Sequence, residues 1–591
     1  MSQYVLFNGA VLVRPGASTK IDASQFQNIS LSGIGTVGLI GEANGGKPRV
    51  VNVFTSPAAV KAYYKSGDLV EAAALVAAPS NDPRIPGGAT AIVTYKVNNS
   101  TQSSKAHDGK HTFTSKQYGL LANGITMSIA VSGSERTVTI NDLDDFGGLV
   151  TETSPLLGGT GKFSIQYVGT ATTCALTITA TGLTTVTGAP AVPADDLNIT
   201  FTDFANLNDV IRFIDGNPSY TCTALITNAI SFDPTNLDAV AALSIMALQS
   251  IYARNFDLSD WVNKNSNIIT DTLTKGQIGP CAVLALTGLT GATRGTSSDT
   301  NWADGFTAMR GVRINQLVPL ASTAATTAQG TFTIAGIMAA LVAHAKLVSS
   351  TIGRNECQAW GGVAMTKTNL IAQANLQNSE HLCLVGQKPT LQRTSDGAIT
   401  EFSEWALACL LAGLRAGAPL GEPLTWKYIT CYGLTSDASW SESNNDDVTS
   451  LALNGVIVVN NITGKGFRVD KCVTTFTKMD NDAYTEETIV QIWKSVAYQL
   501  RSVLQDVYVG RPGSIQTVQS VPAVVARVLE LFRQAGSITD SLINGVVIKA
   551  YRNITVSLNG DQLSVGVTIS PTPGINFVLN TIILVPAQIS L

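Results

Sequence analysis

From position 545 onward, apolar and polar residues alternate. Ile554, Val556 and Leu558 are separated by polar residues. The turn Asn559-Gly560-Asp561 follows, and Leu563, Val565, Val567 and Ile569 then alternate again. A period of two marks strands with one buried face, and the Asn-Gly pair predicts a hairpin between them. A third run, Ile575, Phe577, Leu579, Ile583 and Val585, is set apart by Pro571 and Pro573. A strand held off by such a break can add to a sheet edge of another chain.

Upstream, residues 1–30 read as an extended arm, in which Val11-Leu12-Val13 is short and apolar and Arg14-Pro15-Gly16 is a breaker. From residue 36 the pattern becomes strand, turn, helix: strands at 37–41, 50–53 and 90–95, and helices from Ser56-Pro57 and across 69–78. Between 96 and 208 Thr, Ser and Gly dominate, and strand-sized runs recur at 125–131, 137–140, 163–168, 175–180 and 197–201. This predicts an inserted all-β domain. Helical patterns return at 209–214, 237–254, 334–349 and 401–415, alternating with strand-like runs such as 282–286. That alternation predicts an α/β region with a largely buried sheet. Ile489, Ile492, Trp493, Val496, Leu500, Val503 and Val507 recur at three and four, the stripe of an amphipathic helix over 486–509. A further helix is expected over 521–535, stopped by Gly536.

With 591 residues the chain is long enough for three to five domains at about 150 residues each. Only 14% of residues are charged while 45% are apolar, so much of the surface must be neutral, which suits extensive protein–protein burial. A net charge of −4 and no basic run argue against nucleic acid as a partner. No apolar stretch reaches the ~20 residues that span a bilayer, so membrane insertion is not expected. The N-terminus carries no signal-peptide pattern, and the eight cysteines lie singly, as reduced buried thiols of a protein folded in a cytoplasm would.

Catalytic patterns are weak. Gly33-Ile34-Gly35-Thr36-Val37-Gly38 fits a dinucleotide fingerprint, but a strand follows it where a helix is needed. The stretch Gly158-Gly159-Thr160-Gly161-Lys162 lacks the first glycine of a phosphate loop and has Phe163 at the magnesium-binding position. His107 and His111 have ligand-like spacing in what reads as a solvated loop with no second ligand pair. The carboxylate pairs Asp144-Asp145 and Asp446-Asp447 read as solvated turns. A hydrolase would need His344 or His381 as base beside a serine, and no Gly-x-Ser-x-Gly elbow is present. No catalytic, cofactor or metal constellation emerges, and the chain reads as a non-enzyme.

Several segments together resemble the contractile tail sheath proteins of bacteriophages and related injection machines. They are Arg14-Pro15-Gly16-Ala17-Ser18-Thr19-Lys20-Ile21-Asp22; Val37-Gly38-Leu39-Ile40-Gly41-Glu42-Ala43 with Gly45-Gly46-Lys47-Pro48; Ser56-Pro57-Ala58-Ala59-Val60 with Gly67-Asp68-Leu69-Val70-Glu71-Ala72-Ala73; Tyr118-Gly119-Leu120-Leu121-Ala122-Asn123-Gly124-Ile125; and the pattern over 544–584. The resemblance implies an α/β and α+β multidomain fold. A discontinuous core domain would combine 31–95 with 426–574, around an inserted β-domain (96–208) and a subtilisin-like middle domain without a triad (209–425), with arms at 1–30 and 575–591. It implies a virion-tail subunit, assembled in the bacterial host cytoplasm, that polymerises in stacked, hexameric, helically arranged rings around the tail tube. Contraction would drive the tube through the host envelope. Other implied partners are baseplate and tail terminator proteins. Strand-donating arms would use Leu12, Arg14 and Ile21 at one end and Ile575, Phe577, Leu579, Ile583 and Val585 at the other. Their acceptor would be a hairpin carrying Ile548, Ile554, Val556, Val565 and Val567. On the expected helix 521–535, Arg527, Glu530, Arg533 and Gln534 fall within an arc of about 120°; Arg527 and Arg533 would contact the tube, an ordinary solvated face being the alternative. The alternative for the whole chain is another self-assembling virion or shell protein.

Overall fold

The computed structural model describes residues 5–7, 10–12, 33–143, 148–323, 333–479, 481–576 and 578–579, the first two stretches as backbone only. The chain forms two compact units. The larger comprises Gly35–Ala418 and Trp426–Met479; the smaller comprises Met1–Ile34, Pro419–Thr425 and Asp480–Leu591.

At the centre of the larger unit is a seven-stranded sheet. Its spatial order is Val456–Ile457, Leu382–Val385, Gln358–Gly362, Gln316–Pro319, Thr36–Gly41, Ala91–Lys96 and Val51–Phe54. All neighbours run parallel except the last, antiparallel edge strand. Parallel strands must be covered on both faces, which is why these read as continuous apolar runs. Ile40, Leu317, Leu382 and Leu384 share one core with the helices Asp299–Ala308, Ile334–Val348 and Lys367–Gln377. The almost wholly buried helix Trp405–Gly417 packs on the sheet and on the helix Asp68–Ala77.

Of the expected discontinuous domain, 31–95 and the Val456–Ile457 strand of 426–574 meet in this sheet, together with strands of 316–385. The segment 31–95 supplies three strands of the seven-stranded sheet, because Thr36–Gly41, with Val37, Leu39 and Ile40 fully buried, is apolar on both faces and can be satisfied only in its interior.

The chain leaves this sheet after Lys96 and returns at the helix Asp299–Ala308. Between them lie four small antiparallel sheets. The strands of 102–188 are joined by later ones: Tyr220–Ala224 and Gln249–Ile251 flank Phe163–Tyr167, Val240–Ser244 pairs with Thr173–Ile178, Ile269–Leu273 with His111–Tyr118, and Leu284–Gly288 with Thr126–Ser132. The β-rich part therefore runs well past residue 208. The helix expected over 237–254 is replaced by two of these strands, and a helix begins only at Arg254–Asn265. Cross-strand pairing of Leu243 with Leu176 and of Ile251 with Phe163 overrides the helical propensity of the alanines.

Asn98 ties the exit and return of this excursion together. Wholly buried, it accepts from Ala43 N (3.1 Å) and donates Nδ2 to the carbonyls of Ala43 (2.9 Å) and Arg294 (2.8 Å). Nearby, Gly119 has φ 86°, and a Cβ there would lie 1.6 Å from the Asn44 carbonyl oxygen. Only glycine fits that approach.

His107 and His111 are not in a solvated loop. They end and begin the strands Gln102–His107 and His111–Tyr118, and both are buried. His111 Nδ1 lies 2.7 Å from Asp271 Oδ2 with both side chains fully enclosed. Burial disfavours the imidazolium, but the Asp271 carboxylate, with Cys281 beside it, outweighs this and raises the pKa to about 9. A base whose folded pKa is raised contributes stability that is fully present below about 6.5 and lost as pH rises through about 9. The β-rich part is thus expected to lose protection between pH 7 and 10 in hydrogen exchange corrected for intrinsic rates. His111→Gln should flatten that slope, and an identical slope in the variant would exclude His111 as its source.

Candidate assembly surface of the C-terminal unit

The smaller unit is built on two long helices, Glu487–Tyr508 and Ile515–Gln534. The second starts earlier than the expected 521. Ser514 caps it by accepting from Thr517 N (3.1 Å), and Pro522 sits inside the helix. Proline reads as a helix start, but Pro522 is the eighth residue of this helix, where it cannot donate to the Val518 carbonyl. The core joins Ile492, Val496 and Val503 of the first helix to Val521, Val525, Val528, Leu529 and Phe532 of the second.

Against this core packs an antiparallel hairpin of Tyr551–Asn559 and Gln562–Ile569. The expected Asn-Gly turn forms, with Asn559 opposite Gln562 and Gly560 at φ 62°. Ile554, Val556, Leu563, Val565, Val567 and Ile569 lean on the core while the residues between them face outward. Four of the proposed acceptor residues, Ile554, Val556, Val565 and Val567, are brought together on this one face. The hairpin is a two-stranded sheet, so among the described residues neither outer edge carries a third strand.

Ile548 does not belong to it. A separate, smaller ribbon pairs Ser541–Ile543 with Val546–Ile548, Ile548 lying opposite Ser541. The signal for this ribbon was the dipeptide Asn544-Gly545, with both residues at positive φ. Two hairpins therefore stand where one over 548–569 is expected.

Of the arm residues, Ile575 and Leu579 are described and highly exposed, in no regular element. Leu12 ends the strand Ala10–Leu12, which pairs within the chain with Val5–Phe7, so in a single copy this part of the arm is a short hairpin. Arg14, Ile21, Phe577, Ile583 and Val585 lie outside the described residues, as do Asp144 and Asp145.

On the second helix, Arg533 is exposed and grips the Glu530 carboxylate in two bonds (2.6 and 2.9 Å). Glu530 also accepts from Tyr551 OH (3.3 Å) and Gln534 (3.5 Å). The Arg533 guanidinium holds the Glu530 carboxyl below its usual range. Arg527 is half-buried on the same helix. The arc of polar residues expected from helical spacing is present, but Arg533 presents its charge already paired.

The other titratable groups singled out in the sequence lie in the larger unit. One cleft, about 760 Å³, is lined by Glu42, Asp68, Glu71, Arg294 and Arg393 among others. Burial, then repulsion from Glu42, pushes Asp68 up to about 6. Glu42 is already engaged by Arg294 and Ser297 (both 2.8 Å), and Glu71 by Thr394 N (2.8 Å). His107 bonds a backbone carbonyl, His111 an aspartate, and His344 is buried in a helix with its pKa lowered by burial to about 4. Lys162 of the glycine-rich stretch pairs with Asp257 (2.7 Å). Asp446 and Asp447 open the helix Asn445–Leu453, and are not a loop pair. Among the described residues no group of three or more His, Cys, Asp or Glu side chains could hold a metal, and no helix is long and apolar enough to cross a membrane. All eight cysteines are buried and free.

The chain is similar over nearly its whole length to curated tail sheath proteins. It is 24% identical to the tail sheath protein of Bacillus phage SP01 (98% of this chain, 97% of the relative). It is 23% identical to the putative tail sheath protein of Enterococcus phage phiEF24C (95% of each) and 21% identical to the tail sheath protein of Staphylococcus phage Twort (85% and 87%). Two crystal structures of sheath tail proteins share the fold. That from Desulfitobacterium hafniense has TM-score 0.54 and 13% identity over 95% of this chain and 97% of its own. That from Listeria innocua has TM-score 0.52 and 15% identity over 94% and 95%. No family model matches the chain.

Proposed function

We propose that this chain, similar over most of its length to phage tail sheath proteins, is a structural subunit polymerising as stacked helical rings around a tail tube and contracting to drive that tube through a host envelope. Cohesion comes from strand exchange: the segment 575–585 of one copy, and the arm near Leu12 of another, add to the free edges of the hairpin Tyr551–Asn559/Gln562–Ile569. The observation that carries this reading is that hairpin, with its inner face anchored on a helical core and no third strand at either edge among the described residues. Two-stranded sheets are marginal alone and their edges are templates for further strands. The arm near Leu12 would have to exchange its local pairing with Val5–Phe7 for the neighbour's edge, which exchanges one set of backbone bonds for another at little net change. Heterologous contacts of this kind do not close and so build a filament.

The experiment is expression of the full chain alone and imaging by negative stain. Hollow striated cylinders are expected; closed particles would favour a shell, and a monomer at all concentrations would end the sheath reading. A second expectation concerns the tube. Arg527 and Arg533 lie on one helical arc suited to an acidic tube surface, with Glu530 orienting Arg533. Arg527→Ala combined with Arg533→Ala should leave cylinders intact and weaken co-sedimentation with the tube on the order of tenfold. Unchanged co-sedimentation would assign this arc to solvent.

A further inference from the structure

The ribbon of Ser541–Ile543 and Val546–Ile548 is built in an unusual way. Leu542 faces Val547 and Ile543 faces Val546 across the two strands. Successive residues of a strand point to opposite faces, so Leu542 and Val547 make one face apolar and Ile543 and Val546 the other. All four are exposed, at 71%, 65%, 53% and 63% respectively. No charged residue lies between Asp540 and Lys549. A ribbon apolar on both faces cannot be satisfied by lying on one surface of its own molecule; it needs a wall on each side.

Its foot is fixed although its blade is bare. Asp540 Oδ1 accepts from Ala550 N (2.7 Å), Ile538 is buried and bridges Pro571, and Thr572 Oγ1 donates to the Gly536 carbonyl (2.7 Å). The turn at Asn544 and Gly545 has both residues at positive φ (51° and 78°), the conformation that matches strand twist in a two-residue loop. The ribbon is therefore a pre-shaped projection.

Where the chain goes next identifies what covers it. Beyond Thr572, held at this same foot, Ile575, Val578 and Leu579 are 83%, 77% and 93% exposed, and residues 580–591 follow outside the described part. Two apolar features, the ribbon and the exposed side chains of Ile575, Val578 and Leu579, thus follow from one fixed foot. We infer that the ribbon 541–548 docks between apolar surfaces of a second copy of this chain, as an interface element additional to the exchanged strands. The inference rests on the self-assembly reading above. An uncharged ribbon does not suit a partner read by Arg527 and Arg533, whereas this chain itself exposes leucine and valine side chains, Leu149, Val283 and Leu286 among them, that supply walls of the required kind.

The test uses the full chain with Leu542→p-benzoylphenylalanine and, separately, Val546→p-benzoylphenylalanine, which probe opposite faces and replace exposed residues that the fold does not need. Irradiation of assembled material should give chain-to-chain adducts from both positions, mapped by mass spectrometry. The pair Leu542→Ser and Val547→Ser should raise the lowest concentration giving assembly on the order of tenfold or more. Assembly with adducts only within a chain, only to another protein, or absent would overturn the ribbon proposal while leaving self-assembly standing. A chain that stays monomeric would overturn the underlying reading and the ribbon with it.

Discussion

A chain ending at Pro573 should fold as the full chain does and yet fail to form cylinders at concentrations where the full chain forms them readily. The large apolar side chains described among the removed residues are not part of the core of a single copy. Ile575, Val578 and Leu579 are 77–93% exposed, and the final backbone ties of the unit, from Thr572 to Ser537 and Gly536, remain in place. What is lost is the donated strand. A strand of roughly ten residues supplies a ladder of backbone bonds and alternate apolar side chains at each junction, and burying even two or three such side chains is worth about 1.5–3 kcal/mol each. Over a helical polymer every subunit loses that junction, so the critical concentration should rise by several orders of magnitude. Sedimentation velocity, with circular dichroism to verify the fold, reads both parts. Cylinders of normal cohesion from the shortened chain would show that the linkage lies elsewhere.

The second large effect is expected at Asn98. Asn98→Ala leaves the buried N–H and carbonyl of Ala43, and the partly buried carbonyl of Arg294, without the partner they have. Each orphaned buried group costs about 1–3 kcal/mol. From the two buried Ala43 groups the larger unit should lose about 2–6 kcal/mol before relaxation, among the larger single-residue effects. Because Asn98 sits where the chain leaves the seven-stranded sheet and where it returns, the loss should appear first as limited proteolysis near residues 97–100 and 293–298. A variant with wild-type melting and no new cleavage there would mean that the three bonds are replaced at no cost.

The features legible in the sequence were those set by short-range pattern. The hairpin at 551–569 was readable because its alternation and its Asn-Gly turn agree, and the strand at 36–41 because an unbroken apolar run bounded by glycines has few other uses. What failed depended on partners far away in the chain. The run 237–254 holds alanine, leucine and isoleucine that suit either a helix or a buried strand, and its pairing partners lie some 65–90 residues upstream. Membership of 31–95 in the parallel sheet is decided by strands at 316–319 and beyond. His111 meets an aspartate 160 residues away, so a buried ion pair looked like a loop histidine. At the candidate site the outcome was divided in the same way. Val556 and Val565 face the core together as their spacing required, whereas Ile548 pairs back across the Asn544-Gly545 turn with Ser541, and only Lys549 and Ala550 separate it from the next hairpin. Arg533 lies on the arc that helical spacing gives, but its engagement by Glu530 is a three-residue rotamer matter that spacing alone does not decide.

Density for the polypeptide between the hairpin at 551–569 and residue 585, traced in a cryo-EM map of the assembled chain, tests the whole account most directly. Residues 575–585 should pass from one copy to a neighbour and lie as a further strand along that neighbour's hairpin. A map in which both termini fold back on their own copy, inside an intact cylinder, would contradict it.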